Sequence, residues 1–334
     1  MNDFQFGRRD FVRLAFGSSL LSLIGCSKRS NSPILRAVGA TLPKELIRSL
    51  PYPWTFEKIQ NIDNINPYEL SLNERIDLLV VQDGWIKRLP SSNLLPIASE
   101  AFSKNLSNKA KDYLKKLGPD YQNKLLPIGV TPWVMIFRNG EQLIDKARKS
   151  WSVLLDPKLK GQIIFPKSPR LLLSITDKIG DPEQLTIIKS QIKIYDDMNA
   201  MNWLLSGKAK VAILPLQRCI ASLIRDSRLS AILPETGAPL NWSLLARPFS
   251  SQTLPPLPWL TNSTKTPLST RLLAKGWIPP IPYIELVEQK DFIRSDFQSA
   301  ILPSYEVWEK CWPILPLTQE EEKSLERRWR NSIP

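Results

Sequence analysis

The sequence predicts an α/β protein with two lobes built on mostly parallel sheets, and three observations carry this prediction. Short aliphatic runs alternate with stretches of helical pattern along most of the chain, which is typical of parallel strands covered by helices. The run IDLLVV at 76–81 is nearly all aliphatic and therefore fits a strand buried on both faces. The length of 334 residues exceeds what one small core holds and suits two domains.

The first part of the chain predicts alternating strands and helices. We expect strands at 34–38, 76–81 and 131–137, and helices at 43–50 and 110–117. Gly118 and Pro119 follow the second helix as a stop signal, and Asn139-Gly140 forms a turn after the third strand.

A second alternating block follows the first. We expect strands at 162–165, 210–214 and 241–246. We expect one helix that begins at Ser168-Pro169 and two further helices at 200–206 and 318–331. The proline-rich stretch 254–258 predicts a surface loop.

The composition excludes several kinds of chemistry. The sequence has no histidine, which removes Ser-His-Asp triads, histidine metal sites and the usual neutral-pH general base. Cys219 and Cys311 are the only thiols besides Cys26, and they have no zinc-site spacing; whether they form a disulfide stays open. The sequence contains neither a GxSxG motif nor a P-loop. We therefore expect no metal, no cofactor and no enzyme activity.

The chain is strongly basic. Its net charge of +13 favours contact with anionic lipid headgroups or with an acidic ligand. The lysines and arginines are scattered rather than arranged in a stripe, so we expect no nucleic-acid partner.

The first 25 residues predict an export signal. Arg8 and Arg9 precede an apolar run of about a dozen residues, which is too short to span a membrane and ends at Cys26. The stretch RRDFVR resembles the twin-arginine export motif, and LIGC resembles a bacterial lipobox. These resemblances imply passage through the twin-arginine translocase, cleavage before Cys26 and lipid on its thiol. The mature protein would then be tethered through 26–33 to the periplasmic side of the bacterial cytoplasmic membrane.

Five stretches in order carry a family resemblance. The most specific is SWSVLLDPKLKGQIIFPKSPRLLL at 150–173, and the others lie at 77–85, 127–139, 206–214 and 234–248. Together they resemble the bacterial extracellular solute-binding protein family 1, especially its spermidine/putrescine-binding branch. The resemblance implies a two-lobed periplasmic-binding-protein fold of type II with crossing hinge strands. Lobe 1 would comprise 34–131 and 242–285, lobe 2 would comprise 132–241, and 286–334 would form a helical segment packed on both lobes.

Aromatic and acidic residues predict a ligand site between the lobes. Asp83 and Trp85 follow the strand at 76–81, Trp133 lies in the next strand, and Trp242 lies in the return crossing. Ligands in open α/β sheets bind beyond the carboxyl ends of strands, and aromatic faces with a carboxylate suit an organic cation. The alternative, that these tryptophans pack in the core, stays open.

The sequence departs from the polyamine-binding branch at the positions that clamp amines. Lys167 and Ser168 stand where an acidic pair is usual, and Asp83 is the only nearby candidate carboxylate. Ser168 predicts a helix N-cap, with Pro169 in the first turn and the cations Lys167 and Arg170 beside it. Free N–H groups and cations at a helix start favour an anion, although a plain capped helix explains the same residues.

The leading functional hypothesis is a lipid-anchored substrate-binding component of an ABC importer. It would capture a small solute between two lobes, polyamine-like by resemblance or else an anion, and deliver it to ABC permease subunits. The alternative is a non-transport lipoprotein that retains the fold in a structural or assembly role. This hypothesis rests on the absence of the carboxylates that clamp amines in the polyamine-binding branch. An enzyme ranks third, since only unpaired carboxylates remain to carry chemistry.

Overall fold

The structure is a computed structural model that describes residues 32–38, 42–59, 76–97, 100–181, 183–196 and 198–332. The predicted export signal with Arg8 and Arg9, and the predicted lipidation site Cys26, lie outside these residues. Pro33–Pro334 form a compact unit whose buried hydrophobic core begins at Leu35 and ends at Cys311. The unit therefore contains its own complete core, as an independently folding chain requires.

The described residues contain strands that are numbered here in chain order. They are β1 (Ile34–Val38), β2 (Thr55–Ile59), β3 (Leu78–Gln82), β4 (Leu94–Leu95), β5 (Leu125–Arg138), β6 (Ile163–Phe165), β7 (Ile192–Tyr195), β8 (Val211–Pro215), β9 (Leu229–Ile232), β10 (Pro239–Pro248) and β11 (Trp312–Pro313).

The α-helices are numbered in the same way. They are α1 (Lys44–Arg48), α2 (Glu100–Lys104), α3 (Asn108–Lys116), α4 (Pro119–Gln122), α5 (Glu141–Lys149), α6 (Pro169–Ile179), α7 (Gln184–Gln191), α8 (Ala200–Leu205), α9 (Leu216–Arg225), α10 (Leu257–Ser263), α11 (Leu268–Leu273), α12 (Tyr283–Val287), α13 (Ser295–Ile301), α14 (Tyr305–Lys310) and α15 (Gln319–Asn331).

The strands follow one another in the order β2-β1-β3-β10-β5-β8-β6-β7, with β4 and β11 paired to β10 and β9 paired to β5. Parallel ladders join β1 to β2 and β3, and join β6 to β7 and β8. Antiparallel ladders join β10 to β3 and β5, and join β5 to β8 and β9. The parallel groups predicted from the alternating pattern therefore flank two long antiparallel strands.

The long strand β5 takes part in two different sets of pairs. Its residues from Leu125 to Pro132 pair with β10, whereas Trp133 to Phe137 pair with β8. One strand therefore runs continuously from the sheet that contains β1–β3 into the sheet that contains β6–β8. Its residues are almost all buried, as expected where helices cover both faces.

Most of the predicted elements are confirmed. The strands at 34–38, 76–81, 162–165 and 210–214 and the helices at 43–50, 110–117, 200–206 and 318–331 occur within a few residues of their predicted ends. The predicted strands 131–137 and 241–246 are parts of the longer β5 and β10.

The predicted loop at 254–258 is wrong at its end. Helix α10 already begins at Leu257, because Pro258 lies in the first turn, where a missing N–H costs no hydrogen bond. The sequence analysis missed the strands β2, β4, β7, β9 and β11 and the helices α2, α4, α5, α7, α9, α10, α11 and α12.

No helix within the described part of the chain is long and apolar enough to cross a membrane. Cys219 and Cys311 are both free thiols and both buried. The Cys219 thiol donates to the Pro215 carbonyl at 3.3 Å, and the Cys311 sulfur accepts from the Ala238 amide at 3.3 Å. Each thiol is therefore held by its own local contacts.

Candidate functional site

The candidate site begins at the carboxyl end of β3. Asp83 follows this strand directly, and its side chain is only 5% exposed. The antiparallel register sets Gln82 opposite Ser243 in β10, so the preceding residue Trp242 lies beside Asp83. The Trp242 backbone N–H donates to Asp83 Oδ2 at 3.2 Å. The pairing of two strands far apart in sequence thus fixes this carboxyl group.

Burial dominates the electrostatics of Asp83. Desolvation raises its pKa to about 7, and the amides of Trp242 and Gly84 and the charge of Arg170 offset only part of that rise. A carboxyl group with such a pKa exchanges a proton near neutral pH. A titratable group whose pKa burial shifts this far is a candidate for a functional residue.

An aromatic pair forms the wall next to Asp83. The Trp242 ring is 1% exposed and stacks on Tyr113 of α3, with centroids 4.9 Å apart and planes 8° from parallel. Burial, followed by the negative charge of Asp83, raises the pKa of Tyr113 well above its usual value. The phenol therefore stays protonated and able to donate a hydrogen bond.

Arg170 lies near Asp83 and comes from helix α6, which follows β6. It lies in the first turn of α6, where the Ser168 hydroxyl caps the helix by accepting the Leu171 N–H at 3.2 Å, and Pro169 is the first helical residue. Burial lowers the pKa of Arg170, while the charges of Asp83, Tyr113, Glu321 and Glu322 oppose that change. Arg170 and Asp83 thus share one electrostatic environment although 86 residues separate them.

Three buried donors in this group have no hydrogen-bond partner among the described residues. They are Tyr113 Oη, Arg170 Nη2 and Trp242 Nε1. A buried polar group without a partner costs about 1–3 kcal/mol, so their concentration around one carboxyl group needs an explanation. We refer to Asp83, Tyr113, Arg170 and Trp242 as the central cluster. Its donors suit an acceptor-rich group such as a carboxylate, and Asp83 suits an amine.

The other predicted site residues lie around or away from the central cluster. Trp85 is half-buried in the short 3₁₀ helix Asp83–Arg88, and Lys167 is exposed just before α6. Trp133 is half-buried, packs against the core and pairs with Pro215 of β8. The structure therefore brings together Asp83, Arg170 and Trp242 from the predicted set, with Ser168 as the cap of the helix that carries Arg170.

Tyr113 is the member of the central cluster that the sequence analysis missed. It occupies the apolar face of α3 together with Ala110 and Leu114. At that spacing a tyrosine looks like any core residue. The only sequence signal was its hydroxyl on a face that otherwise carries apolar side chains.

The C-terminal helix α15 packs across the elements that carry the central cluster. Glu322 forms an ion pair with Lys87 in the 3₁₀ helix that begins at Asp83. Further along, the Arg328 guanidinium contacts the Asp177 carboxylate of α6 at 2.5 Å. The Lys189 ammonium of α7 donates to the Trp329 carbonyl at 3.1 Å. The helix thus contacts both the Asp83 side and the Arg170 side of the cluster.

Within the described residues, no group of His, Cys, Asp and Glu side chains is arranged to hold a metal ion. The central cluster contains one carboxylate and one guanidinium, and a guanidinium repels a cation rather than coordinating it.

Comparisons with known proteins identify the fold. No family model and no curated protein sequence matches the chain. The spermidine/putrescine ABC transporter substrate-binding protein PotD of Streptococcus pneumoniae has a TM-score of 0.66 and 12% identity, and the match covers 91% of this chain and 98% of that chain. The TpPotD lipoprotein of Treponema pallidum has a TM-score of 0.65 and 11% identity, over 91% and 99% of the two chains. A protein described as the Atu4243–GABA receptor has a TM-score of 0.64 and 13% identity, over 90% and 98%.

These likenesses define the class of fold. The chain has the α/β fold of type II periplasmic-binding proteins, with two lobes and crossing strands, as the sequence predicts. This fold is shared by substrate-binding proteins that serve ABC transporters. At 11–13% identity the likeness concerns the fold alone.

Proposed function

We propose that this protein is the lipid-anchored substrate-binding component of an ABC importer and captures a small solute between two lobes. The central cluster is the observation that carries the proposal. Asp83, Tyr113 and Trp242 belong to the proposed lobe 1 (34–131 and 242–285), whereas Arg170 belongs to the proposed lobe 2 (132–241). A site assembled from both lobes couples solute capture to closure of the cleft, which is a hinge motion.

We propose that the solute carries a carboxylate at one end and an amine at the other. Arg170, with the buried donors of Tyr113 and Trp242, offers a carboxylate a charge-assisted site. Asp83 offers a partner for one ammonium, and the two rings add cation–π attraction. A diamine or polyamine would leave a second ammonium near Arg170 without a carboxylate, which is costly in a buried site. The GABA named for one structural neighbour has the proposed pairing of groups.

The remaining parts of the proposal concern location and partners. Twin-arginine export guided by Arg8 and Arg9, lipidation at Cys26 and delivery to ABC permease subunits rest on the sequence resemblances. The segment 286–334, proposed to pack on both lobes, includes α15 with its contacts to the 3₁₀ helix at 83–88 and to α6.

One observation favours the alternative of a non-transport lipoprotein. The side chains of Asp83 and Trp242 are buried at 5% and 1% exposure, and α15 packs beside them. A site filled by its own side chains has no need of a solute. In this alternative, the central cluster and α15 join the two lobes permanently.

Thermal unfolding of residues 27–334 against a panel of solutes separates the two functions. The panel contains γ-aminobutyrate, other ω-amino acids, putrescine, spermidine, small dicarboxylates and phosphate. A solute at 100 times its Kd adds about 2.7 kcal/mol of stability, which raises Tm by several degrees in a cooperative transition. We expect the shift with an amino acid, and we expect Arg170→Ala to abolish it.

Matched variants make the result specific. Arg225→Ala removes an exposed arginine from α9 and should keep the full shift. A shift with a polyamine that survives Arg170→Ala would overturn the proposed solute class. No shift with any solute in the panel would favour the non-transport lipoprotein.

A further inference from the structure

The C-terminal helix α15 is attached to the rest of the protein mainly through polar contacts. None of its 13 residues is buried. Its apolar contribution comes from Leu325 and Trp329, which are partly buried against the core. Elements with few buried apolar contacts open at a lower free energy than the core does. We therefore expect α15 to detach while the core stays folded.

The second half of α15 contacts elements of the proposed lobe 2. The Arg328 guanidinium contacts the Asp177 carboxylate of α6 at 2.5 Å. The Lys189 ammonium of α7 donates to the Trp329 carbonyl at 3.1 Å and lies 4.4 Å from the centroid of the Trp329 ring. The same ring meets the edge of Tyr195 in β7, with centroids 5.9 Å apart. This half of the helix therefore lies on the side of the central cluster that carries α6.

The first turn of α15 reaches the other side of the central cluster. Glu322 forms an ion pair with Lys87, which lies in the 3₁₀ helix that begins at Asp83 and belongs to the proposed lobe 1. The Arg170 guanidinium of α6 is close enough for the charges of Glu321 and Glu322 to act on it. The first turn therefore bridges the two elements that carry Asp83 and Arg170.

The ion pairs that hold α15 in this position are weak. The side chains of Lys87 and Glu322 are 42% and 46% exposed, and those of Arg328 and Asp177 are 39% and 54% exposed. Water screens an exposed ion pair, which therefore shifts an equilibrium by about fivefold at most. Contacts of this strength keep a helix in place most of the time and still allow it to leave.

We propose that α15 is a lid over the central cluster, which detaches to let a solute enter and leave. While α15 is in place, the carboxylates of Glu321 and Glu322 partly balance the charge of Arg170, so the lid is closed in the protein without a solute. Once α15 detaches, Asp83 and Arg170 become accessible from the solvent. This role of α15 deepens the proposed function, on which it rests, because it assigns entry and exit of the solute to one helix.

The test measures hydrogen exchange of backbone amides in residues 27–334, which contain the complete core. Two sets of amides are followed. One set belongs to α15 itself. The other is the Trp242 N–H, which donates to Asp83 inside the central cluster and reports on the access of water to the cluster. A lid exposes both sets together, whereas a permanent joint exposes them only when the whole protein unfolds.

Three single variants make the measurement specific. Lys87→Gln removes the ion pair on the Asp83 side of the central cluster, and Asp177→Asn removes the ion pair on the α6 side. The control Arg294→Gln removes the pair of Arg294 with Asp296, whose side chains are both 52% exposed and which involves no residue of α15. Denaturant unfolding of each variant checks that its global stability is close to that of the wild type.

We expect the amides of α15 to exchange far faster than those of the buried strand β5 in the wild type. Lys87→Gln and Asp177→Asn should each speed exchange of the α15 amides and of the Trp242 N–H by up to about fivefold. Arg294→Gln should leave both rates unchanged.

A covalent crosslink tests the same motion in the opposite direction. The double variant Lys87→Cys and Glu322→Cys, joined by a short bis-maleimide, holds the first turn of α15 in place. The native thiols Cys219 and Cys311 are buried and should not compete for the reagent. Exchange of the Trp242 N–H should slow in the crosslinked protein, and γ-aminobutyrate should bind only the double variant that has not been crosslinked.

Two outcomes would overturn the lid. If the α15 amides exchanged only at the rate of global unfolding, α15 would be a permanent joint, as in the non-transport alternative. If Lys87→Gln and Asp177→Asn left the Trp242 N–H at the rate of the control variant, α15 would not cover the central cluster. A solute panel without any Tm shift would instead contradict only the proposed function, since hydrogen exchange is measured without a solute.

Discussion

Tyr113 and Trp242 illustrate how single residues bear on both stability and ligand binding. Both side chains are 1% exposed, and both leave a polar atom without a partner among the described residues. The rings contribute packing, whereas the polar atoms cost free energy in the absence of a ligand. Stability and binding therefore make opposite demands on the same two side chains.

Replacement of Tyr113 by phenylalanine separates these demands. We expect Tyr113→Phe to leave the free energy of unfolding unchanged or to raise it by up to about 1 kcal/mol, because the stacked ring stays and an unpaired buried hydroxyl is removed. Affinity for a carboxylate-bearing solute should fall. Denaturant unfolding and the solute-induced Tm shift measure the two effects. A loss of stability of about 2 kcal/mol or more would show that the hydroxyl is already paired.

Asp83 predicts a pH dependence of stability. Its pKa rises from 3.8 to about 7 on folding, so between these values the folded state binds more protons than the unfolded state. Stability from this group is fully present below about pH 4 and is lost as pH rises to about 7, by up to about 4 kcal/mol. The difference in unfolding free energy between wild type and Asp83→Asn should therefore fall across this range.

An exposed carboxylate provides the control for that measurement. Asp291→Asn changes an exposed residue and should leave the pH profile of the wild type intact. If the difference between wild type and Asp83→Asn were constant from pH 4 to 8, Asp83 would not be the group that titrates.

Among the elements, β5 and β10 join the strands β1–β3 to the strands β6–β8. Side chains pack closely against β5. Gly129 of β5 lies against the Trp277 ring, and a Cβ at this position would stand 2.0 Å from Trp277 Cε2. Trp277 itself is fully buried. Neither the strand nor the indole has room to move without loss of other contacts.

Two glycine substitutions test this packing as a matched pair. Gly129→Ala should destabilise the protein by at least the 1–3 kcal/mol that is typical of overpacked cores. Gly84→Ala adds the same methyl group where no atom lies within 4 Å, and it should change the unfolding free energy by less than about 0.5 kcal/mol. Denaturant midpoints of the two variants give the comparison. If both substitutions changed the unfolding free energy equally, the loss of backbone freedom at glycine, rather than the contact with Trp277, would explain the change.

At the scale of the whole molecule, the two cysteines report on global unfolding. Cys219 and Cys311 are both free and both buried in the hydrophobic core. Burial raises the pKa of Cys219 to about 12 and that of Cys311 to about 11. Because the thiolate is the reactive form, both groups should resist thiol reagents until the core opens.

Labelling of residues 27–334 at pH 8 checks this expectation. We expect neither thiol to react in the folded protein, and both to react once the chain is unfolded in denaturant without reductant. The rate of labelling should follow the rate of global opening. Absence of reaction in the unfolded chain would indicate a disulfide between Cys219 and Cys311.

The fold class and many of the elements follow from local sequence patterns, because periodicity, caps and stop signals are local properties. The run at 76–81, the cap at Ser168 and the helix ahead of Gly118 are examples that the structure confirms. The sequence also named Asp83, Arg170 and Trp242, whose residue types stood out beside predicted strands and a helix start.

The contacts between these residues depend on long-range pairing and packing. The register of β10 on β3 places the Trp242 amide at Asp83, and the stack of Trp242 on Tyr113 joins elements more than a hundred residues apart. Strand register and helix packing follow from the total burial of apolar surface in the whole chain. Local pattern contains no information about such long-range contacts, and for this reason Tyr113 looked like an ordinary core residue.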